Sequence, residues 1–387
     1  MGMAVQRLIL LGLLALLLSG CVKRNTAQVA SGGPRVVLVR TDLGLADGEF
    51  VRDANTALTT LEQQGKVQFQ AVGELPVALQ DEPEGQDIGL PVPQSKKAGE
   101  MTQGEAAALV GQAPASDILV IASGPLLASA LDAVASGKVS TKCILLLDEQ
   151  GMGPVPVKPL VPVYRLHYDI KHIAFLLGVA AAQSSTLAHF GVLYSSDDPQ
   201  GAEFAKAVAA GAKYLSNGAW TEAVPVQTGP LGYVTPDLFQ QGFQALRKQG
   251  GPNFKPDHFI LDLGRSTPTI MDALSKKPLN AYLLGAYADY THVRPAHIVG
   301  CALKRPDLAL LALFSKLDAA QFAANPAQTL AGLADKDGAI SVGLKDAAIG
   351  FTDFTLYSRY KNDGADIKAV VDQTEAQMKT GELQAQY

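Results

Sequence analysis

Acids, aromatic rings and one lysine stand just beyond apolar runs that look like strands, and these are the residues of this chain that could bind or react. VVLV (36–39) is followed by RTDLGLADGEF, with Asp42, Asp47 and Phe50. CILLL (143–147) is followed by Asp148, HFGVLY (189–194) by SSDDPQGAEF with Asp197 and Phe204, DHFILDL (257–263) by Gly264, and NAYLLGAY (280–287) by Asp289. Lys304 stands in CALKRPD. In open α/β sheets ligands bind beyond the carboxyl ends of the strands, so these positions are the candidates. Paired carboxylates can perform general acid–base or glycosidic work. Acids and rings without basic phosphate binders suit a neutral polyhydroxylated ligand, whose hydroxyls donate to carboxylates.

Other chemistries find no support. The loop after the first strand has no GxGxxG or GxxxxGK, the Gly-rich patterns that cradle a nucleotide phosphate. Ser123 in IASGPLL lacks the GxSxG elbow, the six histidines show no triad spacing, and no CxxC or HxxxH pair offers metal ligands. The reading is a binding protein with no catalytic residue, no metal and no cofactor. Each candidate also has a plainer role: Asp42, Asp47 and Asp148 can cap the helices that follow them, Phe50 and Phe204 can staple a helix start to the core, and Lys304 can be a solvated helix residue.

The elements that would position these residues alternate. Strand candidates are VVLV, VQFQAV (67–72), DILVIA (117–122), KCILLL (142–147), HFGVLY, EAVPVQ (222–227), DHFILDL and NAYLLGAY. Amphipathic helices lie between them: FVRDANTALTTLEQQ, LLASALDAVA, IKHIAFLLGVAAAQ, GAEFAKAVAAGAKYL, LFQQGFQALRKQ and TIMDALSK. Thr102 and Glu105 have capping-box spacing and mark one more helix start. This is the pattern of mostly parallel sheets flanked by helices, in two halves. The segment 73–100, with four prolines, predicts an exposed flap, and the Pro-rich run 151–166 predicts the first crossing between halves.

The N-terminus predicts a place in the cell. Arg7 precedes an apolar run from Leu8 to Leu18 that is too short for the ~20 residues a bilayer span needs. It fits the h-region of a secretory signal. Leu18-Ser19-Gly20-Cys21 then resembles the processing site of bacterial lipoproteins, in which Cys21 becomes the lipidated first residue. The 387-residue chain is large for one core, and its net charge of −5, without a long basic block, argues against nucleic acid as a partner. Cys143 and Cys301 sit in apolar runs and read as two free core cysteines in preference to a disulfide.

The segments VVLVRTDLGLADGEF, DILVIASGPLLASALDAVA, IAFLLGVAAAQSS, HFGVLYSSDDPQGAEFAKAVAAG, HIVGCALKRPD and above all GAISVGLKDAAIGF resemble the basic membrane protein family of substrate-binding lipoproteins, which serve ABC importers. GLKD, Gly343 to Asp346, is the most family-specific of these elements. The resemblance implies a purine nucleoside stacked between two rings, which by register are Phe50 and Phe204, with the ribose held by Asp148 or Asp289 and by Lys304, and with Asp47 as the acid of the first loop. The chain departs from the family at Ala46-Asp47, Phe50-Val51, Tyr287-Ala288-Asp289 and Ala347-Ala348, so recognition of the purine edge is the part of the likeness it weakens.

The resemblance implies an α/β, two-lobed fold of the type I periplasmic-binding-protein kind. The expected division is a signal peptide 1–20, a tether 21–34, an N-terminal lobe from 35–155 and 294–340, and a C-terminal lobe from 156–293 and 341–387. The function it implies is a monomeric, lipid-anchored substrate-binding protein of an ABC permease, facing the periplasm or the cell surface, with ligand-binding residues Asp42, Asp47, Phe50, Asp148, Phe204, Gly264, Asp289 and Lys304. Two other readings stand beside it: a ligand-free lipoprotein acting as envelope regulator or scaffold, and a hydrolase using two acids in the cleft.

Overall fold

The computed structural model describes residues 33–40, 48–73, 103–150, 152, 155, 159–229, 233–275, 281–291, 296–358 and 363–383. The leader with Cys21, the loop carrying Asp42 and Asp47, and the Pro-rich segment 74–102 lie outside the described residues.

Among the described residues, twelve strands form two six-stranded sheets. The first contains β1 (Arg35–Val39), β2 (Gln68–Val72), β3 (Ile118–Ile121), β4 (Cys143–Leu146), β5 (Val163–Tyr168) and β11 (Ala339–Val342), in the spatial order β11-β5-β4-β3-β1-β2. The second contains β6 (His189–Ser195), β7 (Trp220–Val226), β8 (His258–Asp262), β9 (Tyr282–Gly285), β10 (Ile298–Lys304) and β12 (Ile349–Phe351), ordered β12-β10-β9-β8-β6-β7. Every pairing is parallel except β10 with β12. ILVI, CILL and HFILD are buried along their whole length, as strands covered by helices on both faces must be. All eight strands expected from the sequence are present, each within a few residues of its expected limits.

The sheets divide the chain at points other than the prolines suggest. VYRLHY (β5) was expected in the second lobe, but it pairs with β4 on one side and β11 on the other. Its alternation of half-buried and buried residues is that of a strand between two neighbours. IVGCALK (β10), placed by the sequence in the first lobe, belongs to the second sheet, where its apolar run is almost wholly buried. The chain therefore passes between sheets after Tyr168, after Lys304 and through GLKD. In the last crossing, the Gly343 amide donates to Asp346 Oδ2 at 3.2 Å, and Ala347 takes a left-handed φ of 55°, which glycine adopts more easily.

Helix Ile170–Ser184 is apolar all round and buried on most of its surface, which marks it as the centre of the second lobe. It packs against Gly201–Leu215, Gly364–Thr380 and β10, whereas Pro306–Ser315 packs against Gly48–Gln63 of the first lobe. At the crossing of Ile170–Ser184 with Gly201–Leu215, a side chain on Gly178 would overlap the Val208 carbonyl, and one on Gly211 the Phe175 carbonyl. Cys143 and Cys301 are buried and not joined in a disulfide, and burial pushes the Cys143 thiol up to about 12, so it stays protonated.

Candidate functional site

Parallel strands place their carboxyl ends together, and residues from both sheets converge there. Tyr168 ends β5, Asp262 ends β8 and Lys304 ends β10; Asp148 and Gln150 follow β4, Asp198 follows β6, and Tyr287 follows β9. The centre of this cluster is an ion pair between lobes, Lys304 Nζ to Asp148 Oδ1 at 3.0 Å. Both side chains are nearly closed to solvent, at 7% and 1% exposure. The ammonium also lies 3.9 Å from the centre of the Tyr287 ring and 5.4 Å from that of Tyr168. Such cation–π contacts add about 0.5–2 kcal/mol when water is excluded. Burial pushes Asp148 up to about 6, against the pull of Lys304 and the Gln150 amide.

A second network adjoins the first. The Tyr287 hydroxyl donates toward Asp262 Oδ2 at 3.2 Å and Asp198 Oδ2 at 3.3 Å, and Gln150 Nε2 crosses from the first lobe to Asp262 Oδ1 at 3.4 Å. Burial, and then the neighbouring Asp198 carboxylate, drives Asp262 well above the usual carboxylate range. Both carboxyls thus face the one Tyr287 hydroxyl. Tyr287 holds a left-handed φ of 82°, an outlier for a ring-bearing residue that costs about 1–3 kcal/mol and persists where its surroundings over-determine it. Here the surroundings are its hydroxyl contacts, the Lys304 ammonium on its face, and its carbonyl, which accepts from the Lys304 amide at 3.0 Å.

Of the residues expected from the sequence, Asp148 and Lys304 are brought together. Asp289 is not part of the pair: its Oδ1 accepts from the Thr291 amide at 2.9 Å and the Thr291 hydroxyl at 2.5 Å, closing its own turn. Gly264 begins a short 3-10 turn with φ 55°, and a side chain there would press on Gln150 Oε1, so its part is to let Gln150 reach across. Phe204 is fully buried, its ring edge-on to Tyr287 with centres 6.0 Å apart, and Phe50 is 3% exposed in the core. Asp42 and Asp47 lie outside the described residues. Sequence reasoning missed Tyr168, Gln150, Asp198 and Asp262; the signal for Asp262 was a carboxylate inside an otherwise apolar strand.

Little space remains between these groups. A cavity of about 10 Å³, room for one water, is bounded by Asp148, Gln150, Tyr168, Asp198 and Lys304 among others. It adjoins a groove of about 240 Å³ that shares Tyr168, Ile170 and Gln200 with it and runs past His167 and Glu203 to the surface. At the rim, Glu149 forms an ion pair with Arg165 and meets His167, each at 3.3 Å, and Gln200 of the second lobe touches His167 at 3.1 Å. The hydrogen bond to Glu149 raises His167 above its ordinary value.

One further array has the connectivity of a catalytic triad. Ser184 Oγ is 2.8 Å from His258 Nε2, and His258 Nδ1 is 3.2 Å from Asp257 Oδ1. It stands at the opposite ends of the strands from the cleft. His258 is fully buried, Ser184 Oγ donates to the carbonyls of its own helix, and Asp257 is engaged by the Ser185 hydroxyl and the amides of Thr186 and Leu187. Burial opposes ionisation of Asp257, but these donors and His258 hold it well below the carboxylate range. The array clasps the end of the helix and offers no approach to a substrate.

No family model and no curated protein sequence matches the chain. Solved structures do. A crystal structure of ABC transporter system solute-binding proteins from Aeropyrum pernix K1 is similar over 90% of this chain and 92% of that chain, with 16% identity and a TM-score of 0.53. A transcriptional activator of the comK gene from Bacillus halodurans is similar over 92% of this chain and 100% of that chain, with 14% identity and a TM-score of 0.53. The fold is the two-lobed type I periplasmic-binding-protein fold. At these identities the likeness carries the architecture, and the chemistry has to come from the cluster between the lobes.

Proposed function

We propose that the chain is a lipid-anchored solute-binding protein of an ABC importer, which holds a purine nucleoside or a similar polyhydroxylated small molecule between its lobes and delivers it to a permease in the cell envelope. The observation that carries this reading is the cluster at the strand ends, where buried Asp148 Oδ2 and Gln150 Oε1 have no partner in hydrogen-bonding geometry. Buried acceptors without donors are costly, and a solute's hydroxyl or amine hydrogens answer them. The type I fold supports closure on a ligand by hinge motion between lobes. Leu18 to Cys21 supports the anchor. Binding is favoured over catalysis because, among the described residues, no activated nucleophile faces the cleft. Stacking of a base on Phe50 and Phe204 requires both rings to be uncovered as the lobes part.

A second reading, a ligand-free regulator or scaffold of the envelope, is favoured by one observation: the protein's own side chains fill the space around the Asp148–Lys304 pair to within about 10 Å³. A thermal-melt series against nucleosides, free bases and sugars separates the two. A bound solute at 100 times its dissociation constant adds ~2.7 kcal/mol of stability, so at least one class should raise the melting temperature clearly. No shift with any of them would leave the scaffold.

A further inference from the structure

Two buried acceptors in the cleft, Asp148 Oδ2 and Gln150 Oε1, have no partner, and the charges around them do not balance. Lys304 is the one cation of the described cluster; it faces Asp148 at 3.0 Å, while Asp198 and Asp262 both face the Tyr287 hydroxyl. Three carboxyls thus face one ammonium, and even with burial holding Asp262 toward its protonated form the acids outnumber the cation. The next shell does not correct this. Glu149 is matched by Arg165, but Asp53 and Asp307 share the single Arg305. Asp198 is half-buried and loses its remaining water when the lobes close over a solute, so a neutral solute would leave an uncompensated charge and an anion would add to it.

Resting on the solute-binding reading, we propose that the solute is a monocation, and that its amine donates to Asp198, Asp262 and the free Gln150 Oε1 while Lys304 stays on Asp148. Gln150 is 6% exposed and its Oε1 is turned toward Gly264 at the cleft. The faces of Tyr168 and Tyr287 already accept a cation in Lys304 and mark the walls as suited to positive charge.

Matched pairs isolate the charge: adenosine against 5′-amino-5′-deoxyadenosine, and glucose against glucosamine, titrated calorimetrically into the purified protein at pH 7. In whichever pair binds, the amine should bind at least tenfold tighter. Asp198→Asn, which removes the half-buried charge, should abolish that ratio; Asp262→Asn, at a carboxyl that burial already holds toward its neutral form, should keep the ratio while both affinities fall. Equal binding within the pairs, or a ratio that survives Asp198→Asn and disappears with Asp262→Asn, overturns the monocation and leaves the solute-binding reading standing. Binding of neither member of either pair overturns the monocation as well, and the thermal-melt series then tells whether a solute of another class occupies the cleft.

Discussion

Lys304→Met should lower the free energy of unfolding by about 3–5 kcal/mol, because it leaves Asp148 as an unpaired charge in a site closed to water. The loss should exceed what an exposed ion pair contributes, ~0–1 kcal/mol, and should be largely reversed in Lys304→Met with Asp148→Leu, since replacing both partners by apolar groups removes the stranded charge. The same argument gives a pH dependence. Asp148 has a folded value raised to about 6, so its contribution to stability is complete below its ordinary value and is lost as pH rises through about 6. Lys304→Met should therefore be least damaging in acid, where Asp148 takes up a proton. Equilibrium urea unfolding at pH 4.5 and pH 7.5 measures both effects. A loss below ~1 kcal/mol at pH 7.5 would mean that the pair is solvated and the lobes stand apart in solution.

Gly211→Val should be at least as damaging, by a different mechanism. In an ordinary helix, replacing glycine by alanine adds up to ~1 kcal/mol of stability. At Gly211 the first carbon of any side chain meets the carbonyl of Phe175, so the central helix of the second lobe must move away. Overpacking costs about 1–3 kcal/mol per step and more when backbone is the obstacle. Gly211→Ala should therefore destabilise, reversing the sign expected from helix propensity, and Gly211→Val should yield little folded protein. Gly178→Ala should behave alike against Val208. A stabilised Gly211→Ala protein in urea unfolding would show that the two helices do not approach this closely.

The parts of the fold that were legible are those whose burial is written in composition. β1, β3, β4, β6 and β8 are continuous apolar runs because both faces are covered, and such runs can be read without knowing their neighbours. β5 could not be read this way. Arg165 and His167 interrupt its apolar residues, and they are tolerated because Glu149 answers them across the rim. β11 and β12 are too short to show a period, and β12 is the antiparallel edge of its sheet. The prolines between β4 and β5 connect neighbouring strands of one sheet, so their resemblance to a linker misplaced the first crossing.

The site was legible where a charged residue stands directly after an apolar run. That rule found Asp148 and Lys304, although nothing in the sequence joins two residues 156 positions apart. It chose Asp197 over Asp198, because adjacent aspartates in a turn differ only in direction. It passed over Asp262, which is counted within its strand, and Gln150 and Tyr168, which flank the Pro-rich run. Ser184, His258 and Asp257 are joined only by the fold. Phe50 and Phe204 illustrate the converse: a ring at a helix start reads equally as a ligand platform or as core, and both are buried here.

Amide hydrogen exchange with and without saturating adenosine and 5′-amino-5′-deoxyadenosine tests most directly whether a solute is held between the lobes. Exchange should slow together in Leu147–Gln150 of the first lobe and in Asp262–Ser266 and Ala286–Tyr290 of the second, because a solute gripped at the strand ends protects both walls at once. Protection confined to one lobe, or exchange unchanged in both by either compound, would contradict a clamp closing on a nucleoside.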